Sequence, residues 1–268
     1  MRRALTIAGS DSGAGAGIQA DLKTFAAHHT YGLTALTAVT AQNTLGVTHV
    51  LALSSELVVA QIEAVVSDIG VDAAKTGMLP NATIVAAVAA SVARLKIPFL
   101  VVDPVMVAKS GDQLIDEDAV GVMRTELLQR AFVVTPNIPE AEVLSGMSIS
   151  TDDDRRRAAT AILDLGPAAV IIKGGHFGTT DIRDLLLDRT GFTEFVAERI
   201  VSAHTHGTGC TFSAALAAHL AAGRSLRESI PLVQNYVAGA IRHSPGLGHG
   251  HGPMQHFWPK SRDRSGDL

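Results

Sequence analysis

The chain holds one cysteine, Cys210, in 268 residues. That excludes an intramolecular disulfide and any four-cysteine zinc site, and it suggests a reducing compartment. Aromatic residues make up only 4%, which fits close helix-on-sheet packing better than an aromatic-rich binding surface. There is no long basic run, and the formal charge is −4. Nucleic-acid binding therefore has little electrostatic support. No stretch approaches the ~18 uninterrupted apolar residues of a membrane span. Arg2 and Arg3 precede a short apolar run, but it stops at Asp11 with no small-residue cleavage site after it, so no signal peptide is expected. The expectation is a cytoplasmic protein that binds neither nucleic acid nor membrane. Two nucleotide fingerprints are also missing. No G-x-x-x-x-G-K-[ST] run occurs, and Gly13-Ala14-Gly15 is followed by Ile18 where a dinucleotide fingerprint needs glycine. The second absence opposes a nucleotide-binding oxidoreductase.

What is present is 47% hydrophobic sequence, enough for a large core. Short apolar runs alternate with segments of helical period. "ALTIAG", "TALTAVTAQN", "VDAAKTG", "PFLVVDP", "AFVVTPN" and "AAVIIKGG" read as strands. "GIQADLKTFAAHH", "SSELVVAQIEAVVSDIG", "NATIVAAVAASVARL", "DEDAVGVMRTELL", "AATAILDLG" and "TFSAALAAHLAAG" read as helices. Ser54 or Ser55 and Asn81 stand where helix caps belong. This alternation predicts parallel pairing through helical crossovers. The continuously apolar runs predict that both sheet faces are covered. The expected fold is one doubly wound α/β domain over residues 1–258, with a polar, disordered tail at 259–268. Residues 181–200 break the rhythm and predict an antiparallel hairpin through Arg189-Thr190-Gly191.

In open α/β sheets, ligands bind beyond the carboxyl ends of the strands. There the sequence places "GSDSGAGAG", Asp103, Asn137 with Glu140, Lys173 with "GGH", and Gly207-Thr208-Gly209-Cys210. An acid, an amide, a second acid, a lysine and glycine turns match a phosphate with a divalent cation. The late helix is expected to begin near Thr208 and stop at Gly223. Its first free N–H groups, from residues 207–210, would then form an anion site. The same field should lower the Cys210 thiol toward neutrality, making it able to take a proton; a buried filler role is the alternative. Asn137 and Glu140 could hold Mg²⁺ through water or merely cap a helix. Lys173 could neutralise phosphate oxygens. A cysteine hydrolase would use His206 beside Cys210. His249, His251 and His256 gather in a glycine-rich stretch that reads as a loop rather than a metal site.

With those residues in place, the chain resembles the bacterial hydroxymethylpyrimidine/phosphomethylpyrimidine kinases of the ribokinase-like superfamily. The blocks "LTIAGSDSGAGAGIQADLKTF", "GLTALTAVTAQNTLGV", "KTGML", "DPVMVAKSGDQLI", "TPNIPEAEVL", "KGGH" and "HGTGCTFSAALAA" carry the resemblance. It implies a three-layer α/β/α fold, ATP with Mg²⁺, and two successive phosphorylations of an aminopyrimidine for thiamine biosynthesis. It implies a homodimer, and pyridoxal kinase is the nearest alternative. By the resemblance, Gln42 reads the pyrimidine, and Gly9, Asp21, Met78 and Val105 shape its pocket. Gly207, Thr208 and Gly209 form the anion hole, with Cys210 as catalytic base. Lys173 contacts nucleotide phosphates, Asn137 and Glu140 match a superfamily N-x-x-E element, and Asp103 is a Mg²⁺ or water ligand. Lys109, in a Ser-Gly-Asp loop, is the expected cation for the second transfer. Related chains often carry consecutive glycines where this one has Ala14, so a negative φ is expected at that residue.

Overall fold

The computed structural model describes residues 1–106, 115–174 and 181–258. Lys109, His176 and the 259–268 tail lie outside them. The chain runs β1 (Arg2–Ser10), α1 (Gly17–Ala27), β2 (Thr30–Gln42), β3 (Val47–Ala52), α2 (Ser55–Asp68), β4 (Ala73–Thr76), α3 (Ala82–Arg94), β5 (Leu100–Val102) and α4 (Glu117–Val122). It continues through β6 (Val133–Val134), α5 (Ile138–Ser145), α6 (Asp152–Leu163), β7 (Ala169–Ile172), β8 (Asp181–Asp188), β9 (Gly191–Glu198), α7 (Thr208–Ala221) and α8 (Leu226–Arg242).

One nine-stranded sheet has the order β3-β2-β1-β4-β5-β6-β7-β8-β9. Its centre, from β2 to β7, is parallel. β3 closes one edge, and the β8–β9 hairpin the other, by antiparallel pairing. The predicted hairpin is therefore present.

Side chains of the central strands alternate between two cores, as the period-2 geometry of a strand requires. Leu5, Ile7, Val102, Val134, Val170 and Ile172 pack under α2, α3, α5 and α6. Ala4, Ala73, Val101, Val133, Ala169 and Ile171 face α7, α8 and Phe25 of α1. This is the expected three-layer arrangement. The order reverses between β1 and β4, so the ligand crevice is expected outside the ends of those two strands.

Local signals explain most boundaries. Ser54 caps α2 by accepting from the Leu57 N–H, and Asn81 caps α3 by accepting from Ile84. α7 starts at Thr208 and gives way to Gly223 at φ +82°. Other segments depart from expectation. The helix expected over "DEDAVGVMRTELL" ends at Val122 and continues as a wider turn, Met123–Leu127, then a tighter one, Leu128–Arg130. Gly121 weakens it, and the Thr125 hydroxyl bonds back to the Gly121 carbonyl. β2 begins four residues before the predicted run, at Thr30. β3 and α8 are additional elements. α8 carries Pro231 in its interior, which removes a helical N–H and masks the pattern.

Candidate active site

The β1–α1 loop is organised around Asp11. Its buried carboxylate accepts from the backbone N–H groups of Gly13, Gly15 and Ala16. His206 Nε2 lies 2.9 Å from the same group. Burial works to raise the Asp11 pKa, but His206 and the backbone donors outweigh it and hold the carboxyl below its usual range. A hydrolase reading needs His206 beside the thiol; its Nε2 instead engages Asp11.

The loop also corrects one expectation. Ala14 adopts φ +59° rather than a negative value. Its N–H donates to Asp11 O at 2.9 Å, and Lys23 Nζ donates to its carbonyl at 2.8 Å. Those bonds, with the converging neighbours, impose the left-handed turn that an L-residue resists by ~1–2 kcal/mol. Ala14→Gly should relieve that strain against an unfolded-state entropy loss of ~0.4–1 kcal/mol, a net gain of roughly 0.5 kcal/mol. A rise in the urea midpoint at constant m-value checks it; a fall would show that Ala14 is unstrained.

Gly207 is the N-cap of α7 at φ +81°. A Cβ there would sit 1.8 Å from Gly15 O, and a Cβ on Gly15 would sit 2.4 Å from His206 Cδ2. The two glycine loops thus stack backbone on backbone. Among the described residues, no acceptor meets the N–H of Gly209 or Cys210. Thr208 N–H, expected to be free, bonds Thr205 O at 3.3 Å. The anion site is therefore narrower than the sequence suggests.

The Cys210 thiol contradicts the expected acidification. Burial, reinforced by the negative charges of Asp21 and Asp103, pushes it up to about 12, against the opposing effects of Lys75 and the Gly17 N–H. The half-buried residue is a neutral thiol at physiological pH.

Beneath it lies an ion pair that sequence reasoning did not single out. Lys75 Nζ donates to Asp21 at 3.1 and 3.2 Å, and Thr6 Oγ1 donates to Asp21 at 2.6 Å. Both charged side chains are 0% exposed. Burial disfavours the Lys75 ammonium, but Asp21, with Asp103 behind it, holds it above its usual range. Asp21 consequently does not line an open pocket as expected; it acts from below through Lys75. The available signal was a lysine inside the buried strand "AAKT".

Gly9 and Met78 do lie together: a Cβ on Gly9 would stand 3.1 Å from Met78 Sδ. Half-buried Val105 follows Asp103, its N–H bonding Asp103 O at 2.9 Å. At the end of β2, half-buried Gln42 reaches His206, with 3.4 Å between Nε2 atoms.

A second polar group stands beside Gly209. Lys173 Nζ is 3.2 Å from Asp103 Oδ1, and Ser213 Oγ donates to Asp103 Oδ2 at 3.2 Å. A Cβ on Gly209 would lie 3.4 Å from Lys173 and 3.6 Å from Asp103. Burial lowers Lys173, but Asp103 and Glu140 more than compensate and hold it charged. Burial and Asp103 push Glu140 up to about 7, opposed by Lys173. Asn137 and Glu140 form the capping box of α5: Asn137 Oδ1 accepts from Glu140 N–H, and Glu140 Oε2 from Asn137 N–H. The pair is thus a cap, and Glu140 lies close enough to Asp103 and Lys173 to feel both charges.

Among the described residues, no three His, Cys, Asp or Glu side chains form a metal cluster, so the late histidines do not. His256 is buried and pairs with Thr211 Oγ1 at 3.0 Å. His251 N–H bonds Thr44 O, fastening the late glycine-rich loop to the turn after β2. No helix among the described residues is long and apolar enough to cross a membrane.

Residues 11–255 match the family model described as phosphomethylpyrimidine kinase. The chain is 48% identical over 256 residues to a Bacillus subtilis hydroxymethylpyrimidine/phosphomethylpyrimidine kinase, covering 95% of this chain and 94% of that one. It is 50% identical to a thiamine biosynthesis bifunctional protein of Geobacter sulfurreducens, over 94% of this chain but only 52% of that longer protein. A solved ADP complex of Bacillus subtilis pyridoxal kinase superposes with a TM-score of 0.90 at 39% identity, covering 97% of this chain and 99% of the other.

Proposed function

The chain belongs to the phosphomethylpyrimidine kinase family and is a phosphotransferase; from that premise we propose that its site phosphorylates hydroxymethylpyrimidine and then the resulting monophosphate, each time from ATP, in thiamine biosynthesis. The carrying observation is the pair of unengaged N–H groups on Gly209 and Cys210 beside the Asp103–Lys173 pair. Phosphoryl transfer depends mostly on positioning and charge stabilisation, and those groups supply both. Pyridoxal kinases share the fold, but the family model and the full-length curated relative are pyrimidine kinases, which favours the pyrimidine alcohol. Residues 1–258 are taken as one kinase domain. Exposed Val39, Val50 and Leu51 on the β2–β3 edge support a homodimer.

Asp103 and Glu140 fit Mg²⁺. They are hard oxygen donors, and two carboxylates suffice for an ion that keeps waters and takes phosphate oxygens. When bound, Mg²⁺ neutralises charge developing on the transferring phosphate oxygens. Lys173 binds nucleotide phosphate oxygens. The N–H groups of Gly209 and Cys210 receive the migrating phosphoryl group. Gln42 offers amide donors and an acceptor to the pyrimidine edge, while Gly9, Met78 and Val105 shape its seat.

Cys210 enters this scheme as a thiol. It contacts and orients the hydroxymethyl oxygen, whose proton leaves to phosphate oxygen or water as the new P–O bond forms and the bond from the γ-phosphorus to ADP breaks. Cys210→Ala should then lower kcat by only ~10–100-fold, below the 10²–10⁴-fold typical of losing a general base. Cys210→Ser should retain most activity, and kcat should show no thiol-dependent rise between about pH 6 and 9. Initial rates by coupled ADP release check this. A loss above ~10³-fold that Cys210→Asp recovers would instead restore the base.

A further inference from the structure

Asp184 enters none of the steps above, yet its carboxylate is buried on β8 beside the end of β7. The β7–β8 ladder stops at Ile172 and Leu185. Just beyond it, two other bonds hold the chain. Lys173 N–H donates to Pro136 O at 2.8 Å. Gly174 N–H donates to Asp184 Oδ1 at 2.9 Å. These N–H groups belong to the two peptide units that flank the Lys173 Cα. Peptide units are planar, and only φ and ψ turn between them. Holding both planes therefore sets the direction in which the Lys173 side chain leaves the backbone.

Asp184 is itself clamped. Its Oδ2 accepts from Gln234 Nε2 of α8 at 2.8 Å, and the same nitrogen donates to Phe195 O at 3.3 Å. Gly174 has no room to shift toward β8: a Cβ there would stand 1.9 Å from Arg183 O. Buried Arg155 holds that carbonyl at 2.5 Å. The outcome is a Lys173 ammonium 3.2 Å from Asp103 Oδ1 and beside Gly209. A lysine is a point charge on a flexible four-carbon stem, so it returns to one place only from a fixed root.

We propose that Asp184, clamped by Gln234, is a positioning residue for the nucleotide: it holds the Gly174 amide and thereby aims Lys173 at the phosphate oxygens of ATP. This rests on Lys173 binding those oxygens. Strands β5, β6 and β7 separate β8 from β4, and the Gly9–Met78 seat lies at β1 and β4. The effect therefore falls on ATP and spares the pyrimidine.

Two measurements test it. Calorimetric binding of the non-hydrolysable ATP analogue AMP-PCP with Mg²⁺ reads the nucleotide side without the acceptor. Steady-state turnover gives KM for ATP and for hydroxymethylpyrimidine separately. Asp184→Ala should weaken AMP-PCP binding and raise the ATP KM ~10-fold, with the pyrimidine KM within ~3-fold of wild type. Asp184→Asn should stay within ~3-fold on both substrates: its amide oxygen still accepts from Gly174, and Gln234 can turn its own oxygen to the new nitrogen. With Lys173→Met as background, the Asp184→Ala penalty on AMP-PCP should shrink below ~2-fold. An unchanged ATP KM in Asp184→Ala, an equal rise for both substrates, or a penalty as large in the Lys173→Met background overturns the proposal. If Lys173→Met alone binds AMP-PCP as wild type does, the phosphate reading of Lys173 fails and the proposal falls with it. If Lys173→Met binds weakly while Asp184→Ala does not, the proposal alone fails. Should Asp184→Ala fail to fold, Gln234→Met takes its place, freeing one side of the clamp, with an expected ~3-fold loss of AMP-PCP affinity. A loss that vanishes in the Lys173→Met background supports the proposal; an additive loss, or none, overturns it.

Discussion

Gly207→Ala should cut kcat/KM by at least ~10²-fold. A methyl group at 207 would stand 1.8 Å from the carbonyl oxygen of Gly15, on a residue whose φ is +81°. Both clashing groups are backbone, so no side chain can swing aside. The α7 entry must move, and with it the N–H groups of Gly209 and Cys210. A misplacement of ~1 Å in such a cradle costs about two orders of magnitude. The nucleotide-independent fold rests on the two cores away from this loop, so far-ultraviolet circular dichroism should remain that of wild type. Coupled ADP release measures the loss. Turnover within ~3-fold of wild type would show that these amides do not hold the transferring group.

Lys75→Met should destabilise the fold by ~3–5 kcal/mol. The change leaves Asp21 wholly buried with only Thr6 to bond it. The sign of the pH dependence follows. Without the ammonium, Asp21 has a folded pKa raised further above its unfolded value of about 3.9, so its protonated form is the one that fits. The destabilisation should be small below about pH 4 and should grow as pH rises toward neutrality. Adding Asp21→Asn removes the orphaned charge and should recover a large part of the loss. Urea unfolding of wild type and the two variants at two pH values reads the effect. A pH-independent loss would place its origin in packing rather than charge.

These two expectations show what could and could not be read along the chain. Asp103 and Lys173 were legible because a charged residue that ends an apolar strand lands at the ligand edge. The start of α7 was legible from its glycines, and the caps Ser54 and Asn81 from their side chains. Lys75 was not: its partner Asp21 is 54 residues away, and a lysine within a strand gives no sign of its ion pair. The environment of the thiol was not legible, because the burial that raises its pKa, and the Lys75, Asp21 and Asp103 charges around it, come from distant segments. Asp11 looked like the end of an apolar run, yet it accepts the bonds that bend Ala14 into a left-handed turn. α8 was hidden by Pro231, although its Ser225–Glu228 capping box was a usable signal.

The joining of the two glycine loops has a consequence for biosynthesis. Asp11 and His206 are 195 residues apart, and Gly250 reaches back 206 residues to Thr44. The catalytic face therefore cannot close until residues 206–250 have been made. The first strand pairs early with β2 and β4, but the loop that follows it waits for its partner His206. Such long-range closure slows folding, and it makes the half-synthesised enzyme a natural client for chaperones.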